Sequence, residues 1–192
     1  MRSHLGIAIR MTLLTAILLG LLYPLAITGV AQVVFPGAAN GSLVKVNGQV
    51  VGSRLIAQDF TQAKYFHPRP SAAGKGYDAM ASAASSLGPT SRALIDQVSA
   101  AVDQALRQDP GLRRGQVPVD MVTTSGSGLD PDITVANARA QAPRVAAARG
   151  MTLAAVLRLV AAHTTGRTLG FLGEPRVSVL QLNLALDTAR GG

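Results

Sequence analysis

The chain has 192 residues and a formal net charge of +8, with 48% hydrophobic but only 15% charged residues, against roughly 25% charged in an average soluble domain. That balance excludes intrinsic disorder, which needs low hydrophobicity and dense charge. The absence of cysteine excludes disulfides, and with only three scattered histidines (His4, His67, His163) it argues against a structural zinc or iron–sulfur site.

The basic residues stand singly or in pairs such as Arg113-Arg114, and aromatics are 4% with no tryptophan. This pattern argues against nucleic acid as a partner and points to an anionic membrane or an acidic protein. From Met11 to Val44 no residue is charged. As a helix at roughly 1.5 Å per residue, Met11–Phe35 is about 37 Å long, more than the ~30 Å hydrocarbon core of a bilayer. An uncleaved anchor at roughly Ile7–Phe35 is therefore expected. Pro24 normally kinks a helix, but membrane helices accept proline when the freed carbonyl finds another partner. The rival reading is a cleaved signal peptide with Gly29-Val30-Ala31 as its cleavage site, but the apolar run exceeds a typical signal core. Arg2 and Arg10 give the short head a basic bias, which favours a cytoplasmic N-terminus and a translocated remainder.

The expected organisation is a tail and transmembrane anchor over 1–35, then one soluble α+β domain over 36–192. Leu43–Val46 and Val50–Val51 flank Asn47-Gly48, a strong hairpin signal because both turn residues accept positive φ. Leu55–Phe60 can extend that sheet. Lys64–Pro89, rich in Gly, Ala, Ser and Pro, reads as a long ordered loop, and loops of that length are usually functional or partner-bound. Thr90–Arg107 has helical periodicity and ends at Pro110-Gly111. Val117, Val119 and Met121 alternate as in a short strand. Asp132 or Thr134 can cap a helix running to about Arg149 with Pro143 inside it, and Thr152 caps the next. Val177–Asp187 fits both periods in part and is read as helix.

Enzyme templates find little support. The residue five before Gly74 is Arg69 rather than the glycine of a phosphate-binding loop, and no Asp-Lys pair exists for an aspartyl-phosphate. Ser125 stands where a nucleophile elbow around Ser127 needs glycine. Three segments remain distinctive. Phe60, Tyr65, Phe66 and Tyr77 gather around His67 and Arg69, where flanking prolines hold an extended backbone. The stretch is either a packed loop or an aromatic–arginine docking surface. Thr123–Pro131 is either a turn that caps a helix or an anion-binding nest. Gly166–Val177 offers glycines for close approach and a Glu174–Arg176 pair.

Taken in order, the membrane segment, Tyr65–Gly74, Leu87-Gly-Pro-Thr90, Ser125–Pro131, Arg144-Val-Ala and Leu172–Val177 resemble the C subunit of the Kdp potassium-transporting ATPase over essentially the whole chain. Two positions depart from the expected pattern: Ser86, often asparagine, and Asp132, often histidine. The resemblance implies a non-catalytic accessory subunit of a bacterial inner-membrane complex. Its partners there are a potassium-translocating subunit and a P-type subunit that hydrolyses ATP, with membrane lipid around the anchor. It implies a catalytic chaperone that raises ATP affinity, with Ser125, Gly126, Ser127, Gly128 and Gln141 as the matching nucleotide-contact candidates. It implies no tightly bound cofactor: ATP is reached through the complex, and potassium is cargo, not a ligand of this chain. The alternative is a membrane-anchored periplasmic enzyme or binding protein unrelated to transport. Because the charge bias puts Gln141 outside the cytoplasm, the expectation is an indirect effect on ATP, with docking through Phe60, Tyr65, Phe66, His67, Arg69 and Tyr77.

Overall fold

A computed structural model describes residues 2–189. The chain divides into two compact units, one ending at Val51 and one beginning at Gly52.

The first unit is dominated by a continuous helical rod: α1 (Arg2–Ile17), a π-helical turn (Leu18–Leu22) and α2 (Tyr23–Val34). His4–Val34 is the one helix among the described residues long and apolar enough to cross a membrane. The π turn explains how Pro24 sits in the rod. Proline has no N–H and its ring crowds the carbonyl four residues back. Widening the preceding turn, so that Tyr23 N–H donates to Leu18 O, accommodates the ring without breaking the helix. A single helical turn, α3 (Pro36–Ala39), follows, and Asn40 Nδ2 donates to Gln32 Oε1 (3.0 Å) and to Pro36 O (2.7 Å). The expected hairpin is present as β1 (Leu43–Val46) and β2 (Gln49–Ser53), with Asn47 and Gly48 at φ 51° and 79°.

The second unit departs from expectation at its start. Leu55–Phe60 adds no strand: Leu55 N–H is taken by Ser53 Oγ (3.1 Å), while Ala57 N–H donates to Leu129 O (2.9 Å). Residues 64–89 contain neither helix nor strand, as expected. Then comes α4 (Arg92–Gln108), and Val119–Val122 forms the short helix α5 rather than a strand. Pro118, extended at the N-cap position, precedes the helix, and the turn carries Asp120 to the beginning of the next helix.

The remaining elements are β3 (Asp132–Thr134), α6 (Val135–Arg149), α7 (Leu153–Ala162), β4 (Thr164–Thr165), β5 (Arg176–Ser178) and α8 (Val179–Thr188). The strands form an antiparallel sheet of order β3–β5–β4, with Ile133 opposite Val177 and Thr164 opposite Val177. The ambiguous period at 177–187 is resolved as a strand running directly into a helix. Thr134 and Thr152 cap α6 and α7 through their hydroxyls, and Gly150 closes α6 in the left-handed region. Pro143 lies on the exposed side of α6, and Arg139, whose carbonyl it frees, is an exposed residue as well. The whole is α+β. Its core joins Ile133, Val177 and Val179 with Ala138, Ala142 and Val145 of α6, Val156 and Val160 of α7, Leu182 and Leu186 of α8, and one loop residue, Phe66.

Candidate functional site

Helix α6 buries two stripes instead of one. Ala138, Ala142, Val145 and Ala146 face the apolar core, while Asn137, Gln141 and Arg144 are buried beside them at helical spacing. The polar stripe is continuous. Asp120 Oδ2 accepts from Thr134 N–H (2.8 Å) and Asn137 Nδ2 (3.0 Å), and Thr134 Oγ1 donates to Asp120 Oδ1 (2.9 Å). Gln141 Nε2 donates to Asn137 Oδ1 (2.7 Å), and Arg144 Nη2 donates to Gln141 Oε1 (2.7 Å). At the far end, Arg144 Nε meets Asp109 Oδ1 at 2.7 Å, with both side chains almost wholly buried.

This stripe fastens a strap, residues 63–67, which begins in a turn closed by Tyr65 N–H on Gln62 O. Arg144 Nη1 donates to Ala63 O (2.6 Å) and Tyr65 O (2.9 Å), and Arg149 Nε donates to Lys64 O (2.7 Å). Asn183 of α8 brackets Phe66, accepting its N–H (2.8 Å) and donating to its carbonyl (2.9 Å). Gln141 does the same for His67, at 2.7 Å and 3.0 Å. Two carboxamides thus replace the neighbouring strands that an extended backbone otherwise pairs with, so buried polar groups are satisfied without a sheet. Phe66, 0% exposed, is driven into the core between these anchors.

Around the strap, Tyr65 OH donates to Asp187 Oδ2 (3.0 Å), and its ring lies 5.3 Å from that of Phe60, with Lys64 and Arg149 about its faces. Further along, Arg69 donates to Asp130 Oδ2 and Thr124 O, each at 3.1 Å, and Tyr77 OH donates to Arg69 O (2.9 Å). Burial, reinforced by nearby Asp59, pushes the Tyr77 phenol up to about 12. Burial first and the Arg144 charge second hold His67 below the usual histidine range. A cavity of about 270 Å³ lies beside these residues, bordered by Phe60, His67, Tyr77, Gln104, Gln108 and Met121.

The Ser125–Gly128 loop packs against the long loop as well. Ser127 O accepts from Ser82 Oγ (2.9 Å) and Ala83 N–H (3.1 Å). A Cβ on Gly128 would stand 2.6 Å from Ala83 O and 2.7 Å from Ala73 N, so the close approach and the positive φ (69°) both require glycine there. Ser125 Oγ is buried and has no partner among the described residues.

The site residues expected from sequence are thus redistributed. Gln141 is 1% exposed and bonded on both sides of its amide, within the domain; its hydrogen bonds go to His67, Asn137 and Arg144 and to no residue of 125–128. Gln141, offered by the resemblance as a nucleotide contact, is a buried brace within this domain. Phe66, expected on the docking surface, lies in the core, and Arg69 spends two donors inside the domain. Gly126 and Ser127 are exposed. Glu174 pairs with Arg167 rather than Arg176, which instead reaches Asp132 (3.0 Å). The residues that sequence reasoning missed are Asp109, Asp120, Asn137 and Asn183. The available signal was polar side chains at i, i+4 and i+7 on α6, and a lone asparagine in the apolar run of α8.

Comparison with known proteins matches residues 5–188 to the family described as K+-transporting ATPase, c chain. The chain belongs to the KdpC family. Among its relatives, the potassium-transporting ATPase KdpC subunit of Myxococcus xanthus is 57% identical, over 96% of this chain and 87% of the relative. Those of Acidobacterium capsulatum and Mycobacterium bovis are 56% and 55% identical, over 96% and 97% of this chain and 98% and 99% of theirs. The two positions expected to depart from the family pattern, Ser86 and Asp132, have distinct local settings. Ser86 sits at φ 51°, a left-handed conformation that asparagine adopts more readily than serine. Asp132 lies on β3 against Arg176, its pKa raised by burial first and by the Asp130 charge, against the lowering pull of Arg176.

Proposed function

We propose that this KdpC-family chain is the membrane-anchored, non-catalytic subunit of an ATP-driven potassium-transporting complex. It would cross the bacterial inner membrane once, N-terminus inside, with its folded domain on the outer face. There it would stabilise the transporting and ATP-hydrolysing subunits as one assembly. The family match over nearly the whole chain, together with one long apolar helix ahead of a folded unit, carries this reading. Any influence on ATP affinity would be indirect. The support for that is the Gln141 amide, whose oxygen and nitrogen are both engaged inside the domain; contact with nucleotide would first have to undo the strap.

The experiment is reconstitution of the potassium-dependent ATPase with and without this chain. Tagged chain should bring down both larger subunits from detergent extracts, and its omission should abolish stable assembly and potassium uptake. Full assembly and full uptake without it would contradict the reading.

A further inference from the structure

The connection between β4 and β5 ends in a tight turn that no other part of its unit covers. Thr168 and Leu172 exchange both backbone hydrogen bonds at 2.9 Å, and Phe171 N–H also donates to Thr168 O. Across the turn, Leu169 and Gly170 have φ of 54° and 84°. Left-handed backbone is rare and sterically unfavourable for a bulky residue such as leucine. The outcome of this strain is a cluster of apolar side chains in solvent: Leu169 is 79% exposed, Phe171 68% and Leu172 49%. Arg167 grips both oxygens of Glu174 (2.8 and 2.7 Å), bracing the base of the turn. A strained, braced turn that displays its largest apolar groups points from geometry to a binding role.

We propose that Leu169–Leu172 is a preformed plug that inserts into an apolar pocket on another protein subunit of the same complex. The inference rests on the accessory-subunit reading above. Charge decides between protein and lipid. The cations flanking the tip, Arg167 and Arg176, are paired with Glu174 and Asp132, so the tip lacks the electrostatic attraction to anionic headgroups that lipid-surface binding combines with apolar burial. Its fixed backbone, by contrast, suits a pocket of fixed shape, because little ordering remains to be done on binding. A central aromatic flanked by leucines is also the composition of an interface anchor.

The test uses the intact complex in native membranes, with a photo-crosslinking phenylalanine analogue in place of Phe171. The same analogue in place of Met80, which is 95% exposed, measures background. The plug predicts an adduct with one larger subunit, at least tenfold above the Met80 position. Adducts with lipid, or a yield no greater than background, overturn it. A second variant, Leu169→Gly, removes the apolar group and relieves the positive-φ strain together. It should speed loss of the chain from detergent-solubilised complex at least tenfold while its melting temperature holds or rises. An unchanged dissociation rate, or faster loss accompanied by a lower melting temperature, contradicts the plug. Wild-type chain that fails to co-purify overturns the accessory-subunit reading and the plug with it; wild type that co-purifies beside a fully retained variant overturns the plug alone.

Discussion

The strap at residues 63–67 and the turn at residues 167–173 are built from similar materials. Both are connections without helix, both hold a phenylalanine among apolar or aromatic neighbours, and both lie close to arginines. Phe66 is nevertheless sealed in the core, whereas Phe171 stands in solvent. What separates them is the source of their backbone partners. Along the strap, every carbonyl from Ala63 to His67 accepts a hydrogen bond from a side chain of α6 or α8. The turn instead satisfies itself, Thr168 against Leu172. A loop whose polar groups are met from outside can be drawn into a core, while one that closes on itself can stand away from it. Aromatic content by itself therefore says little about which loop faces a partner.

The comparison breaks most severely at Arg144. Arg144→Ala leaves Asp109 buried without its cation and bares two strap carbonyls, and should cost roughly 3–5 kcal/mol, measured by urea unfolding of the purified full chain. Truncating Phe66 to alanine should be of similar size, about 3–5 kcal/mol, whereas Phe171→Ala should change stability by no more than about 0.5 kcal/mol. Equal losses at the two phenylalanines would dissolve the distinction. Gln141→Ala should cost about 1–3 kcal/mol by stranding the His67 backbone and Asn137, and the change in the pump's ATP dependence should follow the change in stability. A tenfold rise in ATP KM with the melting temperature unchanged would instead favour direct nucleotide contact.

A smaller effect comes from pH. The native state holds His67 below the ordinary histidine value of 6.5, so the unfolded chain binds the proton more readily. Stability from this group is complete above pH 6.5 and declines as pH falls from there through the folded pKa. His67→Gln should flatten that slope in a series of unfolding curves between pH 5 and 7.5, values chosen to bracket the ordinary histidine range.

The periodic elements could be read before the structure: the apolar rod, the Asn47-Gly48 hairpin, α4, and the capped pair α6 and α7 each follow from local chemistry. The failures lie where tertiary contacts override local pattern. Val117–Met121 alternates like a strand but folds as a turn that delivers Asp120 to the start of α6. Leu55–Phe60 has strand composition but no neighbouring strand. The site was the least legible part, because the buried polar stripe of α6 makes a helix with polar residues nearly all around, and Gln141 then resembles a surface amide. The segment containing Phe66 was recognisable as distinctive, but its burial depends on Asn183, more than a hundred residues away in the chain.

Amide hydrogen exchange on the full chain tests most directly whether side chains fasten the strap. Phe66 and His67 amides should exchange as slowly as the buried part of α6, although they belong to no helix or sheet. In Gln141→Ala, the His67 amide should lose protection first while the Phe66 amide, still held by Asn183, keeps most of its own. Rapid exchange of both amides in the wild-type chain, at the rate of exposed loop residues such as Gly126, would contradict the account.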